Sequence, residues 1–274
     1  MTLLQSILLG IIQGITEFLP ISSSAHLVIT PYLLGWKIPA QDGFIFDVLV
    51  QLGTLLAVII FFRKDLWKII AAVIKGLIHR TPFSDPMSRL GWFLVLATIP
   101  AVIAGVLFKD LVKQAFGSPP TAAIFLLGTG LFLVIAEWVG KRTRQLDSVT
   151  WLDALIVGLF QAISLLPGIS RSGSTISGGM IRNLDRPAAA RFSFLMSVPV
   201  MIGAGALEVV DLFKSPNLST QLPSVMAGVV IAAIVGYLSI RWLLSFLVKR
   251  PLYLFAIYCA VVSIIVLLIH FIRG

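Results

Sequence analysis

The stretch Gln13-Gly14-Ile15-Thr16-Glu17-Phe18-Leu19-Pro20-Ile21-Ser22-Ser23-Ser24-Ala25-His26 gathers an amide, a carboxylate, hydroxyls and an imidazole in a short span of chain. Gln13 and Glu17 are four residues apart, so on a helix they share one face. Their oxygens are the hard ligands that Mg2+ or Ca2+ takes. Pro20 ends a helix, and Ser22, Ser23, Ser24 and His26 follow the break. Such a set holds a nucleophile, a hydroxyl or the imidazole, together with a group able to move its proton. The second such stretch is Pro167-Gly168-Ile169-Ser170-Arg171-Ser172-Gly173-Ser174-Thr175. Glycine lets backbone come close to a ligand. Amides opening the following helix, with the hydroxyls of Ser170, Ser172 and Thr175, form an anion cradle, and Arg171 can grip phosphate with two parallel hydrogen bonds. Taken together, the two stretches carry the parts of phosphoryl transfer: a cation site, a guanidinium, a nucleophile and an acid–base group.

The elements that must position these residues lie in lipid. Of 274 residues, 58% are hydrophobic and 12% charged, about half the charge of a soluble domain of this size. Six segments, roughly 44–62, 91–108, 121–139, 192–210, 223–244 and 251–271, read as membrane-spanning helices. At that depth an unpaired Glu17 or Arg171 is costly, so a serine-capped helix break beside a satisfied histidine is an insufficient account of them. The net charge of +9 sits in short loops, the pattern of orientation signals and anionic-lipid contacts rather than of nucleic-acid binding. Glu137 reads as an ordinary charge at a span end, Arg191 as either a helix start or a site residue, and Arg241 as snorkelling. Cys259 stands alone and forms no internal disulfide.

Residues 2–33 and 152–181 are apolar but broken by the two motifs, each half too short to cross comfortably. They fit re-entrant helix-loop-helix hairpins, with irregular backbone buried in protein or lining a wet cavity. The two regions match each other: Gly10-Ile11-Ile12-Gln13 with Gly158-Leu159-Phe160-Gln161, Ser22 with Ser170, Ser24 with Ser172. Three spans follow each, so the second unit inserts upside down. The expected fold is therefore an all-α polytopic membrane protein. It is one membrane domain over 1–274, with repeat 1 about 1–140, repeat 2 about 150–274, six transmembrane helices and two re-entrant hairpins in an inverted-topology repeat. Positive charge in the 63–90 loop, in Lys141, Arg142 and Arg144, in Arg182, Arg186 and Arg191, and in Lys249 and Arg250 marks four cytoplasmic segments. The loops near 109–120 and 211–222 are poorer in charge and face outside, as do both termini.

At the two motifs the sequence resembles the bacterial undecaprenyl-diphosphate phosphatase family, also called the bacitracin-resistance protein family. That family carries Glu/Gln-x-x-x-Glu followed by Pro-x-Ser-Ser-x-x-His, and Pro-Gly-x-Ser-Arg-Ser-x-x-Thr. Here these stand as Gln13 and Glu17, then Pro20, Ser22, Ser23 and His26, then Pro167 through Thr175. The resemblance implies a multi-pass enzyme of the bacterial plasma (inner) membrane with its site opening to the outer, periplasmic face. Such an enzyme takes a polyprenyl diphosphate lipid, releases inorganic phosphate, and returns the monophosphate carrier to cell-wall synthesis. It implies a divalent cation, Mg2+ or Ca2+, at Gln13 and Glu17. It also implies Ser23 as nucleophile with His26 as acid–base partner, although His26 could itself attack, and Arg171 as phosphate clamp. Ser22, Ser170, Ser172 and Thr175 would hydrogen-bond the phosphates. Membrane lipids are the other expected partners, and a homodimer is left open. Gln13 stands where many members carry Glu, which leaves the site one negative charge poorer. A transporter or lipid flippase is the competing expectation, since inverted repeats with broken helices also build carriers; a carrier has no use for a nucleophile beside an acid–base group and a metal site. A purely structural membrane protein has still less use for Glu17, His26 and Arg171 at depth.

Overall fold

The computed structural model describes residues 1–108, 118–213 and 218–273. Among the described residues the chain forms eleven α-helices and one short 3-10 turn, with no strand. Six of the helices hold a window long and apolar enough to cross a bilayer: α3 (Ala40–Phe61), α5 (Pro86–Leu107), α6 (Pro119–Val139), α9 (Arg186–Leu212), α10 (Leu218–Lys249) and α11 (Tyr253–Arg273). They match the six expected spans. Lys109, Lys113 and Lys214, which bear on the charge-poor loops, lie outside the described residues.

Five helices are shorter, and four of them flank the motifs. α1 (Leu3–Thr16), α2 (Ser23–Leu34), α7 (Trp151–Ile163) and α8 (Arg171–Ile181) have 14, 12, 13 and 11 residues, a reach of only about 17–21 Å at 1.5 Å per residue. Their starts follow from local chemistry. Thr2 and Gln5 form a capping box on α1, and Thr150 and Asp153 form the same box on α7. Ser22 caps α2 through the amide of Ala25, and Ser170 caps α8 through that of Gly173. Each motif break is thus also a helix N-terminus.

One expectation needs correction. The 63–90 region is not simply a loop: Arg63–Ile78 is helical (α4). Asp65 in its first turn and Lys75 in its last complement the helix dipole. Ile69 and Val73 pack so closely on α5 that a methyl at Gly91 would meet their side chains at 2.9 and 2.6 Å. The density of lysine and arginine along this stretch masks its apolar stripe.

Lipid supplies no hydrophobic drive between helices, so close backbone approach through small residues takes over. α1 lies on α10, where a methyl at Gly10 would meet the Gly228 carbonyl oxygen at 2.5 Å. α7 lies on α5, where a methyl at Gly158 would meet the Ala97 carbonyl oxygen at 2.6 Å. α6 and α11 pack side by side, with Ala256 against Gly130.

The basic segments gather at one end of the bundle and are tied there by two buried carboxylates. Glu137 accepts from Arg142 and Arg186 at 2.6 Å each and from the Leu252 amide at 2.8 Å. Asp153 accepts from Arg144 at 2.6 Å and Arg182 at 2.8 Å. Glu137, expected as an ordinary interfacial charge, is only 3% exposed and joins α6, α9 and the start of α11. Two guanidiniums and a backbone amide meet the cost of burying it. Burial pushes the Asp153 carboxyl up, but hydrogen bonds from Arg144, Arg182 and Thr150 outweigh that and hold it well below the usual carboxylate range. Arg191 bonds Asp65 of α4 at 2.9 Å, so it belongs to this end and not to the motif site.

Candidate functional site

The two motifs meet. Arg171, first residue of α8, reaches across to Glu17 at the end of α1, with Nη2 to Oε1 at 2.5 Å. The other Glu17 oxygen, Oε2, accepts from Gln13 Nε2 at 2.9 Å and from Ser23 Oγ at 2.7 Å. Glu17 is 9% exposed and Gln13 1%, so four polar side chains from three helices share one largely buried pocket. Two of their atoms have no protein partner: Arg171 Nη1, a donor, and Gln13 Oε1, an acceptor. An orphaned donor and an orphaned acceptor on the two side chains that flank Glu17 suit an anion with a cation beside it.

The loops hold each other in register. Ser172 Oγ donates to the Leu19 carbonyl at 3.0 Å, and the Gly168 amide approaches Ser24 Oγ at 3.5 Å. Thr129 of α6 accepts from the Ser170 amide at 2.8 Å and donates to the Gly168 carbonyl at 3.1 Å. Gly168 has φ +103, and a methyl there would collide with the Ala122 carbonyl, so only glycine fits. Ser22 holds φ 69, a left-handed conformation uncommon for serine, at the break that presents Ser23.

Not every expected residue faces the same atoms. Ser22 caps α2 and contacts Ser24 at 3.2 Å. Ser170 caps α8 and contacts Ser172 at 3.1 Å. The Thr175 hydroxyl donates to the Arg171 carbonyl at 2.8 Å and meets Ser193 of α9 at 2.6 Å. His26 is 7% exposed, with Nδ1 on the Ser22 carbonyl and Nε2 on the Tyr258 hydroxyl, both at 2.8 Å. Ser23 therefore bonds Glu17, while His26 bonds Tyr258 of α11.

Thr129, Ser193 and Tyr258 are residues that motif reading misses. Thr129 alone carried a signal, a polar residue in mid-span; Tyr258 looks like any aromatic in an apolar helix. No group of three or more His, Cys, Asp or Glu able to hold a metal occurs among the described residues. The one cation-suited donor set in the pocket is Gln13 Oε1 with the Glu17 carboxylate, which leaves most of a coordination shell to substrate oxygens and water, as Mg2+ commonly accepts.

Six apolar helices with a buried carboxylate and a half-buried hydroxyl and guanidinium among them define a polytopic helical membrane protein with a polar site built where two pairs of short helices meet. The chain belongs to the bacitracin resistance protein BacA family, which matches residues 6–265. It is similar to proteins named undecaprenyl-diphosphatase. That of Chlorobaculum tepidum is 44% identical over 272 residues, 96% of this chain and 95% of that protein. That of Moorella thermoacetica is 43% identical over 277 residues and spans both chains completely, at 100% each. That of Chlorobium phaeovibrioides is 42% identical over 280 residues, 98% of this chain and 97% of that protein.

Proposed function

We propose that the protein is a membrane phosphatase that hydrolyses undecaprenyl diphosphate to undecaprenyl phosphate and inorganic phosphate. The observation that carries this reading is the meeting of Glu17, Ser23 and Arg171, which puts a hydroxyl on a carboxylate beside a guanidinium with a spare donor. The names of the full-length relatives point to the same substrate.

In this reading Arg171 grips the terminal phosphate through Nη1 while Nη2 stays on Glu17. Ser23 Oγ attacks phosphorus and passes its proton to Glu17 Oε2, its present hydrogen-bond acceptor at 2.7 Å. The Ser23 O–P bond forms, the bridging P–O bond breaks, and the lipid monophosphate leaves. Water then attacks the phosphoserine and gives its proton to His26 Nε2, which lets go of Tyr258 to take it and afterwards releases it to solvent. The P–Oγ bond breaks, and Ser23 takes back the proton held on Glu17. Ser23 is assigned as nucleophile because its hydroxyl already faces a carboxylate able to take its proton, whereas His26 Nε2 has first to give up its bond from Tyr258. Gln13 and Glu17 would hold Mg2+ or Ca2+, which would neutralise diphosphate oxygens when bound. Ser22, Ser170, Ser172 and Thr175 shape the cradle, and each would donate to a phosphate oxygen by turning its hydroxyl hydrogen from its present partner.

The proposed setting is the bacterial plasma membrane. The hairpins α1–α2 and α7–α8 enter from opposite sides as the breaks of an inverted repeat, about 1–140 and 150–274, within one domain. Support comes from the reciprocal packing, α1 on α10 and α7 on α5, in which each hairpin's first helix seats a glycine on the middle span of the other half. The end joined by Glu137 and Asp153 is placed in the cytoplasm, which puts both termini and the mouth of the site outside.

The test is phosphate release from a long-chain prenyl diphosphate in detergent. Release with added Mg2+ or Ca2+, and its loss with chelator, is expected; a pure carrier releases none. Quenching turnover in acid distinguishes the nucleophiles, because a phosphoserine survives and a phosphohistidine does not. An acid-labile adduct overturns the Ser23 assignment.

A further inference from the structure

We infer that Tyr258 is a positioning residue for His26, fixing which imidazole nitrogen is held as the proton acceptor; this rests on the phosphatase reading above. Three contacts support it. The Ser22 carbonyl can only accept, so His26 Nδ1 must carry the proton that fills their 2.8 Å contact. His26 Nε2 is then a bare acceptor, and the contact at 2.8 Å is one in which the Tyr258 hydroxyl donates to it. The two rings lie nearly parallel, 13° apart with centroids separated by 5.6 Å, which restricts rotation of the imidazole. Tyr258 is 40% exposed and His26 7%, so the phenol covers the imidazole from outside.

Tyr258 is itself held in place. Its neighbour Cys259 is buried, with its thiol 3.8 Å from the Pro20 carbonyl, so consecutive residues of α11 touch the first loop on either side of Ser22. Farther along α11, Arg273 donates to the carbonyls of Tyr32 and Leu33 at the end of α2. α11 thus touches the second part of the first hairpin at Pro20, His26, Tyr32 and Leu33, and Tyr258 meets it at the imidazole. The phenol hydroxyl keeps the Nε2 lone pair occupied yet available, since a hydrogen bond is given up more easily than a proton. Any water that attacks a phosphorylated Ser23 then finds an acceptor nitrogen already oriented.

The test is Tyr258→Phe, which keeps the ring contact and removes the hydroxyl. Turnover, normalised to the folded fraction, is expected to fall about tenfold, with KM changed less than twofold and only a modest drop in the thermal midpoint in detergent, since one hydrogen bond to a buried catalytic group is being removed. With 15N-histidine labelling, and His26→Gln used to assign the signal among the three histidines, only the Nε2 resonance of residue 26 should move. In a His26→Gln background Tyr258→Phe should cost nothing further. A Tyr258→Phe protein with wild-type turnover, or with an unmoved Nε2 signal, overturns the inference while leaving the phosphatase reading intact. A wild-type protein that releases no phosphate sinks that reading, and the nitrogen signal still reports whether Tyr258 fixes the imidazole.

Discussion

Arg171 is the sharpest place to separate a structural ion pair from a phosphate clamp, because its two terminal nitrogens do different things. Nη2 bonds Glu17 at 2.5 Å; Nη1 is buried with no partner. Replacing Arg171 by lysine keeps a cation that can reach Glu17 and removes the fork. Replacing it by alanine removes both. Glu17 retains its bonds from Gln13 and Ser23 in either variant, and the pair is only partly buried, with Arg171 18% and Glu17 8% exposed at the side chain. Loss of stability for Arg171→Ala should therefore fall at or below the roughly 3–5 kcal/mol of a broken buried pair, and for Arg171→Lys within about 1 kcal/mol. Turnover behaves differently. A preorganised donor aimed at developing phosphate charge is worth about 100- to 1000-fold, so Arg171→Lys should lose about two orders of magnitude while folding almost normally. The assay is phosphate release at saturating prenyl diphosphate, normalised to the folded fraction from thermal unfolding in the same detergent. If Arg171→Lys retains near wild-type turnover, or if the loss in Arg171→Ala only tracks its folded fraction, Arg171 is a strut for Glu17 and the clamp assignment is wrong.

Other consequences can be measured directly. Thr129→Val strips the partner from the buried Ser170 amide; it should lower stability by about 1–3 kcal/mol and lower turnover, whereas Thr129→Ser should restore both, and a silent Thr129→Val would show that the second loop needs no such tie. Gln13→Glu puts a second carboxylate beside Glu17 in place of a donor; without metal its thermal midpoint should fall below wild type, and Mg2+ should raise it more than it raises wild type, with about fivefold less metal needed for half-activation. Equal metal response in the two proteins counts against Gln13 as a ligand. The depressed Asp153 carboxyl stabilises the fold above the unfolded value near 3.9 and loses that contribution as pH falls through the lower folded value. The wild-type advantage in thermal midpoint over Asp153→Asn should therefore be constant above about pH 5 and shrink below about pH 4; an advantage that persists undiminished at low pH would refute the linkage.

The legible parts of this chain were those governed by short-range rules. Apolar run length located six spans to within a few residues, because crossing lipid is a length requirement. Helix breaks at Pro20 and Pro167 and the i, i+4 pairing of Gln13 with Glu17 were equally local. What the residues did not disclose was partner choice at long range. Glu137 looked like an interfacial charge because its arginines lie 5 and 49 positions away and its amide partner 115. Arg142, Arg144, Arg182 and Arg186 read as orientation signals, and that reading omits the carboxylates they enclose. Tyr258 gave no sign in sequence that it would meet an imidazole 232 residues distant.

The abundance of serine and threonine in the two motifs has a physical reason that catalysis alone does not supply. In the proposed re-entrant hairpins, the backbone amides and carbonyls at the breaks would lie where water does not satisfy them. Here those groups are met by the motifs' own hydroxyls: Ser22 and Ser170 on amides, Ser172 on the Leu19 carbonyl, Thr175 on the Arg171 carbonyl, with Thr129 supplying both kinds of bond from α6. Ser23 is different, because its hydroxyl is directed at a carboxylate and no backbone group depends on it. A motif serine can therefore be sorted by what it bonds. Alanine at Ser172 should act through folding and be partly rescued by threonine. Alanine at Ser23 should leave the thermal midpoint nearly unchanged and abolish formation of the phosphoenzyme, and a Ser23→Ala protein that still accumulates one would move the nucleophile to His26.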